Sequence, residues 1–180
     1  MSVVAVMMGM PGSGKTTVGT LVAQSLALPF ADSDKLIEEH TQRTIPDIFA
    51  SDGERGFRAL EARVIADALE HFDGVLSLGG GAITHSGTRE LLRQHPVFMI
   101  EVPYAELVRR IRKSSTVRPL LAEHPEEAIA RLLEQRAPLY REAARYVVSS
   151  TQAPVQNVAR QVLDLLGFRD VPVINMKAEK

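Results

Sequence analysis

A chain of 180 residues, 45% of them apolar and 24% charged, has the length for one ordinary domain with a substantial core and the composition of a folded protein. Its formal net charge of −1 gives no overall attraction to nucleic acid or to an anionic membrane, and no run of about 18 apolar residues exists to cross a bilayer. The absence of cysteine and tryptophan, with three Tyr and six Phe, excludes disulfides and thiolate metal sites and argues against a base-stacking surface, so a cytoplasmic monomer is the default expectation.

In chain order, the apolar run Val3 to Met8 reads as a buried strand, with no basic leader that would make it a signal peptide. It leads into Gly9-Met10-Pro11-Gly12-Ser13-Gly14-Lys15-Thr16, which meets every required position of the phosphate-binding pattern G-x-x-x-x-G-K-[ST]. Such a loop lets successive N–H groups converge on phosphate oxygens while a helix N-terminus adds its dipole; Lys15 reaches the outer phosphates and Thr16 offers a hydroxyl to magnesium. The helix that follows turns Val18, Leu21, Val22, Ser25 and Leu26 inward. Leu28 to Ala31 is a second strand running into Asp32-Ser33-Asp34, where Ser33 or Asp34 is expected to cap a short helix. Thr44, with Pro46 in the first turn, starts a piece that ends at Gly53, and Glu54 to Phe72 has the clearest helical period, with Phe57, Leu60, Val64, Ala68 and Phe72 on one face.

Val75 to Leu78 is a third strand followed directly by Gly79-Gly80-Gly81. A helix from about Ser86 to Gln94, a fourth strand from Val97 to Val102 and a helix from Tyr104 to Lys113 come next. Ser114 to Pro125 shows no sustained period, and a connection of this length inside a compact domain is usually functional. A helix from about Glu126 to Ala137, a fifth strand from Tyr146 to Ser149 and a helix marked by Val155, Val158, Val162, Leu165 and Leu166 complete the domain, leaving 171–180 as a flexible tail. Strands alternating with helices predict a three-layer α/β/α fold around a five-stranded parallel sheet with right-handed crossovers. Ligands of such sheets lie beyond the carboxyl ends of the strands, so the phosphate loop, Asp32, Asp34 and the three glycines should converge.

The chemistry of these residues has two readings at several positions. Asp32 is the best carboxylate for magnesium, through water, since the third strand carries Ser77 and no acid; its ordinary role would be a turn-forming Asp. Asp34 either orients or deprotonates a substrate hydroxyl, or caps a helix, or both. Three glycines admit a close ligand or make a flexible connection. Arg109, Arg110, Arg112, Lys113 and Arg118 form either a solvated basic face or the cations of a lid over a triphosphate, with Arg118 the best single candidate for charge stabilisation. Arg58 and Arg136 each adjoin an apolar helical face, and would grip a planar carboxylate if they met over one pocket. The five histidines show no metal-ligand spacing.

Taken together, Asp32-Ser33-Asp34, Ile48-Phe49 with Gly53-Glu54 and Phe57-Arg58, Leu78-Gly79-Gly80-Gly81-Ala82, Arg118-Pro119-Leu120-Leu121 and Arg136-Ala137-Pro138-Leu139-Tyr140 resemble the signatures of the shikimate kinases, in that family's order. The resemblance spans about Val3 to Leu166. It implies a P-loop kinase that uses ATP and magnesium to phosphorylate the 3-hydroxyl of shikimate, in the pathway to aromatic amino acids. By it, Asp34, Arg58, Gly79, Gly80, Gly81 and Arg136 would bind shikimate, and Lys15, Asp34 and Arg118 would act in the transfer. Gly12, Ser13, Gly14, Lys15, Thr16, Thr17, Arg110, Arg118, Gln152 and Pro154 would bind the nucleotide, with Arg110 and the 151–154 segment flanking adenine, and Thr16 and Asp32 would hold the metal. One kinase domain, 1–170, would contain a substrate-binding part at about 33–61 and a lid at about 112–124. A gluconate kinase of the same architecture is the alternative, lacking the need for both arginines and the glycines; no Asn/Thr-Lys-x-Asp motif supports a GTP switch.

Overall fold

The computed structural model describes residues 3–113, 125–151 and 154–174. Five strands, β1 (Ala5–Met8), β2 (Phe30–Asp32), β3 (Val75–Ser77), β4 (Val97–Glu101) and β5 (Tyr146–Ser149), form a parallel sheet in the order β2-β3-β1-β4-β5. The helices are α1 (Lys15–Ser25), α2 (Ser33–Thr41), α3 (Ile45–His71), α4 (Ser86–Leu92), α5 (Tyr104–Lys113), α6 (Pro125–Ala143) and α7 (Val155–Leu165), with a 3-10 turn at Ala82–Thr84. Pairing aligns Met7 and Asp32 with Ser77, so the tips of β1, β3 and β2 end in one row. The phosphate loop, Asp34 and the three glycines therefore leave the sheet side by side.

Side-chain alternation along β1 divides the core. Val6 and Met8 face one layer, with Ile65 and Leu69 of α3, Leu92 of α4 and Ile129 of α6. Ala5 and Met7 face the other, with Leu21 and Val22 of α1 and Val158 and Val162 of α7. A separate small cluster of Ile37, Ile48, Phe57 and Val64 joins α2 to α3 and supports the acceptor side of the site.

The two helical pieces expected on either side of Gly53 are present and meet there within α3, at a kink where Gly53 has a non-helical φ of 68° and ψ of 178°. Thr44 caps it by accepting from the Asp47 N–H. The cap of α2 is a correction: Asp32, not Ser33 or Asp34, accepts from the Asp34 N–H at 3.1 Å. The boundary expected at Ala137 is also corrected, because α6 runs on through Pro138 to Ala143. A mid-helix proline costs about 3 kcal/mol, and burial of Tyr140 and Ala143 beyond it supplies the offset. Residues 171–174 do not hang free: Val173 packs on the α1–α7 core, the Ile174 N–H donates to Ser25 and Arg160 donates to the Val171 carbonyl.

Candidate active site

The phosphate loop turns from β1 into α1 through Gly12 and Gly14 at φ of 82° and 86°, the left-handed conformation that favours glycine. Ser13 is fully buried between them, and Lys15 opens the helix. Thr16, one residue on, reaches the neighbouring strand tips: its hydroxyl donates to Asp32 Oδ2 at 3.2 Å and lies 3.5 Å from Ser77 Oγ. Thr17 is exposed on α1. Asp32 thus uses one carboxylate oxygen to cap α2 and the other to meet Thr16.

Asp34 lies in the next turn, half-buried. Burial and the neighbouring Asp32 raise its carboxyl above the ordinary value of 3.8, against the pull of Lys15 and Arg58. Lys15 and Asp34 therefore share one electrostatic environment. A side chain at 79 would place Cβ 2.5 Å from Asp34 Oδ1, which is why glycine stands there; the Gly79 N–H donates to Ser33 Oγ at 2.8 Å.

The two arginines meet at consecutive residues of this loop. Arg136 donates to the Gly80 carbonyl at 2.9 Å, while the Arg58 guanidinium lies against Gly81, where a Cβ would collide with it. Arg58 donates from Nη1 to Glu61 Oε2 at 2.6 Å, and its buried Nε has no hydrogen-bond partner among the described residues. Glu61 is only 2% exposed, and burial raises its carboxyl even though Arg58 opposes the shift. Phe57 and Phe49 stack at 4.4 Å beside the arginine, giving the pocket an apolar wall.

A family model described as shikimate kinase matches residues 11–167. The chain belongs to the shikimate kinase family. A shikimate kinase of Mycobacterium avium (strain 104) is 46% identical over 167 residues, covering 92% of this chain and 94% of its own. The structure of a shikimate kinase from Acinetobacter baumannii in complex with shikimate matches with a TM-score of 0.85 at 38% identity, over 95% of this chain and 96% of that one. A gluconokinase from Sinorhizobium meliloti 1021 matches with a TM-score of 0.61 at 19% identity, over 91% and 90%, a likeness of fold alone.

For a shikimate kinase, the expected constellation is brought together at Lys15, Thr16, Asp32, Asp34, Arg58, Gly79, Gly80, Gly81 and Arg136. Arg118 and Gln152 lie outside the described residues, as does nearly all of the segment expected to be the lid. Arg110 is committed to backbone: it donates to the Ser13 carbonyl at 3.1 Å and to the Ser150 and Thr151 carbonyls at 3.1 and 2.8 Å. It ties the back of the phosphate loop to the connection that ends at Pro154, the N-cap of α7. Glu106 holds Arg110 and Arg109 and is itself lowered to about 2 by hydrogen bonds from both.

Sequence reasoning passed over Glu61 and Tyr140 as individual functional groups. Glu61 had a signal: it stands four residues after Phe57 and three before Val64, a carboxylate in the inward stripe of α3 with Arg58 one turn away. Tyr140 had none beyond its place in a motif, because its hydroxyl contacts Gly9 and Gly80, both remote in the chain.

Proposed function

We propose that this chain transfers the γ-phosphoryl group of ATP to the 3-hydroxyl of shikimate. The observation that carries the reading is the meeting of Arg58 and Arg136 on one glycine loop, beside Asp34 and next to the phosphate loop. A carboxylate placed there would accept from the guanidinium groups of Arg58 and Arg136, which fixes the ring and leaves a hydroxyl toward Asp34. Asp34, whose carboxylate burial makes a stronger base than that of an exposed Asp, accepts a hydrogen bond or the proton from that hydroxyl as it attacks. Lys15 stabilises the charge on the transferring group, and the resemblance assigns Arg118 the same task. Phosphoryl transfer asks the protein mainly for alignment and charge, and this site supplies both.

Magnesium fits the donors. Thr16 and Asp32 present hard oxygen atoms 3.2 Å apart below the phosphate loop. Among the described residues, no cluster of three or more His, Cys, Asp and Glu could hold a metal without help, as suits an ion that keeps water and phosphate ligands. Thr16 and Asp32 would hold it, and bound there it would neutralise phosphate charge.

A coupled assay across shikimate, quinate, gluconate and nucleoside monophosphates tests the function. Shikimate should be the preferred acceptor, with dependence on ATP and magnesium. Equal or greater turnover of an acceptor without a carboxylate would remove the reason for two arginines at one loop. Arg118→Ala should lower turnover far more than it raises the KM for shikimate.

A further inference from the structure

Tyr140 is 1% exposed, its ring packed among the residues that cover the α3–α6 face of the sheet. Its hydroxyl oxygen nevertheless touches both halves of the site. It lies 2.9 Å from the Gly9 carbonyl, where β1 gives way to the phosphate loop, and 2.6 Å from the Gly80 carbonyl in the acceptor loop. The phosphoryl-transfer scheme uses neither contact. A phenol has a single proton, so two carbonyls must share it, and the shorter distance gives Gly80 the larger part.

Gly80 is held from three directions. Tyr140 and Arg136 both donate to its carbonyl, at 2.6 and 2.9 Å, and a Cβ on it would lie 3.2 and 3.3 Å from ring atoms of Pro11 in the phosphate loop. When Arg136 turns its N–H groups toward a substrate carboxylate, the Gly80 carbonyl loses part of one donor. The Tyr140 proton then settles more fully on Gly80, and the Gly9 carbonyl at the root of the phosphate loop loses its share. Occupancy of one pocket thereby changes the backbone of the other. Burial pushes the Tyr140 phenol up to about 12, so the donor stays protonated across the working pH range.

We propose that Tyr140 is a positioning residue whose hydroxyl couples the phosphate loop to the acceptor loop, so that filling either pocket prepares the other. The inference rests on the reading of the site as an ATP:shikimate phosphotransferase. Coupling of this kind is reciprocal by thermodynamic necessity, which supplies the test. Dissociation constants of a non-hydrolysable ATP analogue are measured with and without saturating shikimate, and those of shikimate with and without the analogue, in wild type and in Tyr140→Phe.

In wild type each ligand should change the dissociation constant of the other by about fivefold or more, and in Tyr140→Phe that factor should fall to within about twofold of unity. The constants for each ligand alone should stay within about threefold, and kcat should drop by roughly tenfold, since the two loops are no longer aligned together. Partial unfolding would raise the apparent dissociation constants of both ligands without bringing the coupling factor to unity, so a Tyr140→Phe variant that keeps the factor overturns the proposal. Absence of coupling in wild type overturns it too. Amide exchange in wild type needs no variant: shikimate alone should change exchange at Met10 to Gly14, and the analogue alone should change it at Gly79 to Gly81. A change confined to each ligand's own loop counts against the proposal. The phosphorylation assay on wild type separates the two failures, because turnover of shikimate with unaltered coupling in Tyr140→Phe rejects this inference and leaves the function standing.

Discussion

The nucleotide side of the site is one contiguous stretch, Gly9 to Thr16, whose chemistry lies mostly in backbone N–H groups fixed by the turn from β1 to α1. The acceptor side is collected from the start of α2, two turns of α3, the loop after β3 and the middle of α6, and its chemistry lies in side chains. One consequence is electrostatic. The acceptor side holds two carboxylates, Asp34 and Glu61, both raised by burial and both opposed by Arg58. Damage on the nucleotide side should therefore stop chemistry with little effect on folding, whereas damage on the acceptor side should disturb both.

The largest effect expected is on the nucleotide side. Lys15→Met should lower kcat by about 10³-fold, the scale of losing one positioned charge from a transition state, while the KM for shikimate and the melting temperature change little. A comparable fall in melting temperature would erase the distinction between the two sides. Next comes Gly79→Ala, whose Cβ would stand 2.5 Å from Asp34 Oδ1 and push that carboxylate aside. A displacement near 1 Å at a reacting group costs about 10²-fold in rate, and steady-state kinetics at saturating ATP would show it.

Arg58→Ala should break both functions of the acceptor side together. It strands the Glu61 carboxylate, 2% exposed, without its 2.6 Å partner, and breaking a buried ion pair costs about 3 kcal/mol or more. Adding Glu61→Gln should recover most of that stability in urea titrations while the KM for shikimate stays raised. Recovery of shikimate binding together with stability would show that Arg58 serves Glu61 and not the substrate.

The same contrast explains what could be read from the chain beforehand. The phosphate loop is legible because all its parts are neighbours in sequence, and the convergence of Asp34 and Gly79 to Gly81 follows from strand tips in a parallel sheet. Arg58 and Arg136 stay open in the sequence because two helical positions far apart carry no mutual spacing; packing of α3 and of α6 against the 3-10 turn at Ala82–Thr84 brings them to Gly81 and Gly80. The expected helix ends at about Ala137, yet α6 runs on through Pro138, and Tyr140 beyond it is tied by packing and by carbonyls of two other segments. Asp32 shows a subtler limit: a sequence names a carboxylate but does not divide its two oxygens between a helix cap and Thr16.

The smallest expected effect is also the most direct measure of strain on the acceptor side. Because burial and Asp32 raise the Asp34 carboxyl in the folded protein, the folded state holds that proton more tightly than the unfolded chain, whose ordinary value is 3.8. The favourable contribution of this proton is complete below about pH 3.8 and is lost as pH rises through the folded value, so ionised Asp34 works against folding at neutral pH. Asp34→Asn should then be more stable than wild type at pH 7, while turnover falls at least about 10²-fold. Urea midpoints from about pH 3 to 8 should show the two proteins drawing together in acid, as pH falls below 3.8 and Asp34 becomes protonated whether the chain is folded or not. A gap that grows toward pH 4, or a variant less stable at pH 7, would mean that Lys15 and Arg58 more than offset the burial, and that the acceptor side stores no strain in this carboxylate.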